Sequence, residues 1–183
     1  MKPRVLLNSK QIELTINRLC FELIENHSDF SNSVILGIQP RGINVSRRIV
    51  ETLKKLKGID NVQYGELDIT FYRDDFRRRD IPLEATSTKI DFLIEDKNVI
   101  LVDDVLYTGR TTRAALDALL DFGRPNSVEF LVLIDRRFSR DLPIQANYVG
   151  KTIDSIDSEK VIVNWKELHN KDQVLLNNVD KKA

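Results

Sequence analysis

Two adjacent carboxylates, Asp103 and Asp104, close an apolar run in NVILVDDVLYTGRTT (98–112), and hydroxyls, a glycine and an arginine follow at once. The acids suit a cation or the hydroxyls of a sugar. The sequel suits an anion, because VLYTGRTT leads into a helix start, where free backbone N–H groups and the helix dipole favour phosphate. Thr108, Thr111 and Thr112 add hydroxyl donors, and Gly109 permits a tight turn. A solvated strand end is the plain alternative for an isolated acid pair, and the loop behind it argues against that reading. Other phosphate and nucleophile signatures are missing: there is no GxxxxGK[ST], no GxGxxG and no GxSxG. The chemistry left is a phosphate on the loop, with two carboxylates about one sugar length away taking hydroxyls.

Several elements must position these groups. Asn8 to about His27 reads as a helix, with Asn8 and Gln11 as a capping box and Leu7 and Ile12 as a staple. Ile12, Ile16, Leu19, Leu23 and Ile24 form its apolar stripe. SVILGI (33–38) reads as a buried strand, ended by PRG (40–42), and the helix after it turns Ile49, Val50, Leu53 and Leu56 inward. VQYGELDITFY (62–72) reads as a longer strand with Leu67, Ile69 and Phe71 alternating against polar neighbours. Residues 73–97 lack a sustained period and read as a long loop of the lid or binding type. NVILVDD is the next strand, Thr111 to Phe122 a helix stopped by Gly123, and SVEFLVLID (127–135) another buried strand. This alternation implies a mostly parallel sheet covered on both faces. From Arg136 onward, LPIQANYVGKTI and KVIVNW predict short strands packed as a smaller hood.

Bulk properties narrow the class. With 183 residues the chain suits one domain, its core about 5–135 and its hood about 136–165. Zero formal net charge argues mildly against a protein that coats nucleic acid. Cys20 is the only cysteine, so neither a disulfide framework nor a Cys/His zinc site is expected, and Cys20, His27 and His169 read as structural. No run approaches the roughly 20 apolar residues of a membrane span, and no signal peptide is visible, so a cytoplasmic location without membrane partners is expected.

VILVDDVLYTGRTT resembles the motif that binds phosphoribosyl pyrophosphate (PRPP) in type I phosphoribosyltransferases. GIQPRG, GELDITFYRDD, GRPNSVEFLVLIDR, LPIQANYVGK and SEKVIV follow the order and spacing of the PyrR family, pyrimidine operon attenuators that are also uracil phosphoribosyltransferases. The likeness runs from about Val5 to Val163. It implies an α/β chain with the type I phosphoribosyltransferase fold: a mostly parallel central sheet flanked by helices, with a small C-terminal hood.

The same resemblance implies the roles. Asp103 and Asp104 would bind the 2- and 3-hydroxyls of the PRPP ribose, Thr108, Gly109, Arg110, Thr111 and Thr112 would cradle its 5-phosphate, and Val105, Leu106 and Tyr107 would belong to the same PRPP site. Arg41, with main-chain groups of Pro40 and Gly42, would meet the pyrophosphate. Arg73, Arg77, Arg78 and Arg79 would reach it from a closing lid, and Arg136 and Val161 would wall the base pocket. Mg²⁺ would arrive with PRPP rather than sit in a protein cage. Uracil and PRPP would give UMP and pyrophosphate, in a homodimer or higher homo-oligomer. A purine transferase, or an RNA-binding attenuator with little activity, are the alternatives.

Members of the family also bind a messenger RNA hairpin through a basic face. Arg18 and Arg140 stand at positions of that face, while Asn17, Phe21, Asn26 and Gln145 replace its usual threonine, histidine and two arginines. RNA affinity falls steeply as fewer phosphates are neutralised. The expectation is a transferase whose hairpin-dependent regulation is weakened or absent.

Overall fold

A computed structural model describes residues 3–56, 59, 61–75, 86–156 and 158–178. The capping box at Asn8 starts the first helix: the Gln11 N–H donates to Asn8 Oδ1 (3.0 Å) and the Asn8 N–H to Gln11 Oε1 (2.9 Å). Helix α1 (Ser9–His27) then buries Ile12, Ile16, Leu19 and Leu23 against the sheet, each worth about 1.5–3 kcal/mol of transfer free energy. Strand β1 (Arg4–Asn8) precedes it.

The central sheet has five strands in the order β3-β2-β4-β5-β6. They are β2 (Ser33–Ile38), β3 (Gln63–Leu67), β4 (Asn98–Leu106), β5 (Ser127–Arg137) and β6 (Tyr148–Asp154), and every neighbouring pair is parallel. Helices α1 and α2 (Gly42–Leu53) pack on one face and α3 (Arg110–Leu119) on the other, giving two apolar cores. β1, β8 (Gln173–Asn178) and β7 (Glu159–Asn164) form a separate antiparallel sheet, with the short α4 (Lys166–His169) between its last two strands. No helix among the described residues is long and apolar enough to cross a membrane.

Three expectations from sequence need correction. The strand over 62–72 ends at Leu67, because Asp68 Oδ1 accepts the Thr70 N–H (2.8 Å) and folds Thr70–Tyr72 into a 3₁₀ turn; Phe71 is 69% exposed instead of buried. The helix after the phosphate-type loop begins at Arg110, and Leu120–Phe122 is 3₁₀ rather than α. The segment 148–154 is not part of the hood. It pairs parallel with β5 as the edge strand of the main sheet, where one polar face is tolerated, and the hood draws its third strand from the N-terminus.

Candidate active site

Strand β4 outruns one of its neighbours. Its pairing with β2 stops at Gly37↔Val102, while pairing with β5 continues to Leu106↔Asp135. From Asp103 onward one flank of β4 is therefore open, and the turn leaving β2 fills the approach to it. Gly42 makes this possible: a Cβ there would lie 2.2 Å from the Val102 carbonyl oxygen and 3.0 Å from Asp103 Cα. The close approach sets Pro40 and Arg41 beside the acids.

Asp103 and Asp104 are 7% and 5% exposed. The Asp104 N–H donates to Asp103 Oδ1 at 2.8 Å. Burial pushes the Asp103 carboxyl well above the usual carboxylate range, and the neighbouring Asp104 charge adds to it. Burial also raises Asp104, against a lowering pull from Arg41. Both acids line a cleft of about 600 Å³, walled by Arg41, Arg73, Tyr107, Arg136 and Val161. Two adjacent buried acids favour a ligand rich in hydroxyl donors or carrying a cation.

A second hollow of about 360 Å³ adjoins it, sharing Arg73, Val105, Tyr107 and Thr111, and is formed by the loop 105–112. Gly109 sits at φ 91°, a left-handed conformation, and turns the chain into α3. The N-cap residue Gly109 makes no side-chain cap and the first turn of α3 has no acidic residue; its Arg110 N–H donates weakly to Thr108 Oγ1 (3.5 Å), and the helix start favours an anion. Thr112 is buried there. The Arg110 side chain is engaged at the rim of this hollow: it donates to Asp141 (2.9 Å) and pairs with Asp74, which also lines the hollow.

On the opposite wall Arg136 is buried, and its donors are directed to the hood turn. Nε donates to Ser155 Oγ (2.8 Å) and Nη2 to the Glu159 carbonyl (2.9 Å). Its guanidinium lies 3.9 Å over the Tyr107 ring. Arg136 thus shapes the wall that it shares with Val161 and fixes Tyr107 at the junction of the two hollows. Arg73 is held by Asp75 at 2.8 Å. Arg77, Arg78 and Arg79 lie outside the described residues. The roots of their segment are pinned together by Asp68, which accepts the N–H groups of Thr70 and Thr86, both at 2.8 Å.

Sequence reasoning misses two cleft residues, Gln39 and Glu159, whereas Lys160 belongs to the KVIV segment expected as the other wall of the base pocket. Gln39 Nε2 donates to the Ser87 carbonyl (3.0 Å), joining the returning end of the long loop to the cleft; nothing in the sequence beyond its place before Pro40 marks it. Glu159 opens β7 next to that segment, and strand alternation does not mark it, because Glu159, Lys160 and Val161 are consecutive and all reach the cleft.

Neither arginine expected on an RNA face is displayed as a free cation. Arg18 donates to the carbonyls of Val149 (3.0 Å) and Gly150 (2.7 Å) and pairs with Glu22, tying α1 to the edge strand. Arg140 directs its guanidinium to the carbonyls of Arg136 (2.8 Å), Ile144 (3.1 Å) and Tyr107 and to the Asp135 carboxylate.

Residues 5–168 match the phosphoribosyl transferase domain family. The bifunctional protein PyrR of Desulfosudis oleivorans is 45% identical over 176 residues, covering 96% of this chain and 97% of that protein. The bifunctional protein PyrR of Streptococcus mutans is 44% identical, covering 96% of each. Among solved structures, a hypoxanthine phosphoribosyltransferase from Staphylococcus aureus superposes with a TM-score of 0.69 at 22% identity, covering 98% of this chain and 94% of that one. The Trypanosoma cruzi hypoxanthine phosphoribosyltransferase in complex with IMP gives 0.73 at 15% identity, covering 98% and 95%. At those identities the structural likeness establishes the type I fold, whereas the sequence relatives establish the group. With its acid pair, uncapped helix start and Gly42 turn gathered at the open end of β4, the chain belongs to the phosphoribosyltransferase family and, within it, to the PyrR group.

Proposed function

We propose that the protein transfers the phosphoribosyl group of PRPP to uracil, giving UMP and pyrophosphate. The observation that carries this reading is the buried pair Asp103–Asp104 set between an uncapped helix start and the Arg136–Val161 wall. The spacing suits one ribose phosphate, with its 5-phosphate on residues 105–112 and its 2- and 3-hydroxyls on the acids. Pyrophosphate would lie toward Pro40, Arg41 and Gly42, covered by Arg73 and the arginines at 77–79. Choice of uracil over a purine rests on the PyrR relatives.

In the reaction the bond from the anomeric carbon to the pyrophosphate oxygen breaks. A bond from that carbon to a uracil ring nitrogen forms, and the nitrogen gives up its proton to solvent or to the departing pyrophosphate. The sugar passes through an oxocarbenium-like state, so no protein nucleophile is needed. The buried carboxylates hold the ribose and favour its developing positive charge. Arg41 and Arg73 neutralise the departing pyrophosphate. Mg²⁺ bound with PRPP would neutralise negative charge on the leaving group, held mostly by PRPP oxygens and waters. Closure of the long loop, whose roots Asp68 pins, would exclude water that otherwise hydrolyses PRPP.

An RNA-regulatory role would accompany this activity in weakened form. The internal bonds of Arg18 and Arg140 and the zero net charge support that reading. Incubation with PRPP, Mg²⁺ and uracil should yield UMP and pyrophosphate; turnover of guanine or hypoxanthine instead would favour a purine transferase. Tight binding of a pyrimidine-operon leader hairpin at physiological salt, without turnover, would favour the regulator.

A further inference from the structure

We infer that Arg140 is a positioning residue for the transferase site, joining the phosphate loop to the base wall, and this rests on the function proposed above. Arg140 lies in the loop 138–147 between β5 and β6, away from the acid pair in sequence. Its side chain is 23% exposed and its carboxylate partner, Asp135, 16%. A single guanidinium joins two strand ends and its own loop. Nη1 donates to the Tyr107 carbonyl, where β4 passes into the phosphate loop, and to the Arg136 carbonyl (2.8 Å), where β5 carries the base wall. Nε donates to the Ile144 carbonyl (3.1 Å) in its own loop, and Nη2 to Asp135.

The rest of that loop braces the phosphate turn as well. The N–H groups of Asp141 and Leu142 both donate to the Thr108 carbonyl, at 3.0 and 3.1 Å. Asp141 takes the Arg110 guanidinium. Ile144 and Leu142 lie beneath Gly109, 3.3 and 3.4 Å from where a Cβ would stand. With the Tyr107 and Thr108 carbonyls turned toward this loop and the Gly109 carbonyl taken by the Arg113 N–H (2.9 Å), the 107–109 backbone is held in the conformation that starts α3 at the hollow. Tyr107 and Arg136, whose carbonyls share Arg140, also stack on one another. Movement at the phosphate turn is therefore transmitted to the base wall by two routes.

Guanidinium geometry matters here. A planar fork satisfies several acceptors in fixed directions, whereas a lysine ammonium at the same site satisfies one or two. Arg140→Lys keeps the charge opposite Asp135 and releases the other carbonyls. A small displacement of the turn is enough to slow a reaction about tenfold to a hundredfold.

The experiment compares wild type, Arg140→Lys and Arg140→Ala in three readouts. Amide hydrogen exchange of residues 105–112, which needs no turnover, should rise at least about tenfold in both variants, while β2 and the first half of β5 exchange as in wild type. The KM for PRPP should rise by about tenfold or more, and the KM for uracil should rise with it, with kcat changed less. Binding of a pyrimidine-operon leader hairpin should change little. Unchanged exchange at 105–112 and unchanged KM values, with or without loss of hairpin binding, would overturn the inference. So would exchange that rises across the whole sheet in Arg140→Lys, since that would make the arginine a general stabiliser. If Arg140→Ala does not fold, Arg140→Lys decides. A wild type that makes no UMP sinks the proposed function while leaving the exchange comparison to judge Arg140.

Discussion

Replacing Asp103 by Asn should make the protein more stable and less active, and the stability gain should grow with pH. Asp103 is buried, and burial with the adjacent Asp104 charge lifts its carboxyl well above the ordinary value of 3.8. A carboxyl raised in the folded state contributes its full stability below the unfolded value. That contribution is lost as pH rises toward the folded value, because the unfolded chain ionises the carboxyl freely while the folded protein must keep it protonated. Asn keeps an acceptor for the Asp104 N–H and carries no charge. The difference between variant and wild type is thus near zero at about pH 4 and increases above it. Each pH unit crossed inside the window adds up to about 1.4 kcal/mol. For a chain of this size 1 kcal/mol moves Tm by about 2–4 °C, so the Tm difference between variant and wild type should widen measurably from pH 4 to pH 8. Thermal unfolding of both proteins between pH 4 and pH 8 measures it. A variant less stable than wild type at pH 8, or a difference independent of pH, would refute the claim that the acids are held against their own desolvation for a ligand.

Other perturbations follow from the same geometry. Gly42→Ala places a methyl 2.2 Å from the Val102 oxygen, so the Pro40–Gly42 turn must move; the PRPP KM should rise by about tenfold or more and Tm should fall, as kinetics and melting will report. Gly109→Ala forces a side chain into the left-handed region, at about 1–2 kcal/mol, and against Ile144; the PRPP affinity measured by calorimetry should drop. Asp68→Ala frees both roots of the long loop at Thr70 and Thr86, and the ratio of PRPP hydrolysis to transfer should increase in a product assay. If that ratio stays at the wild-type value, Asp68 has no part in closure.

How much was legible in the sequence follows the range of the interactions. α1 is set locally, by the Asn8–Gln11 box and a stripe of period 3.6, and it stands where the sequence places it. β2, β4 and β5 are buried on both faces, so their unbroken apolar runs are unambiguous. β6 is an edge strand whose polar residues mimic a hood segment, and only the long-range pairing with β5 reveals it. Phe71 fails for a local reason, since Asp68 turns the chain before the alternation reaches it. In the site, the acids and phosphate loop are contiguous and therefore visible together. Gln39 and the Arg140 bonds are joined to them only through space, and an arginine surrounded by carbonyls looks in sequence like any exposed cation.

The most direct test is UMP formation from uracil and PRPP with Mg²⁺, run on wild type beside Asp104→Asn. The account predicts UMP and pyrophosphate in equal amounts from wild type, and about a hundredfold slower formation by a fully folded Asp104→Asn. No UMP from the folded wild type, or an Asp104→Asn rate equal to wild type, would contradict it.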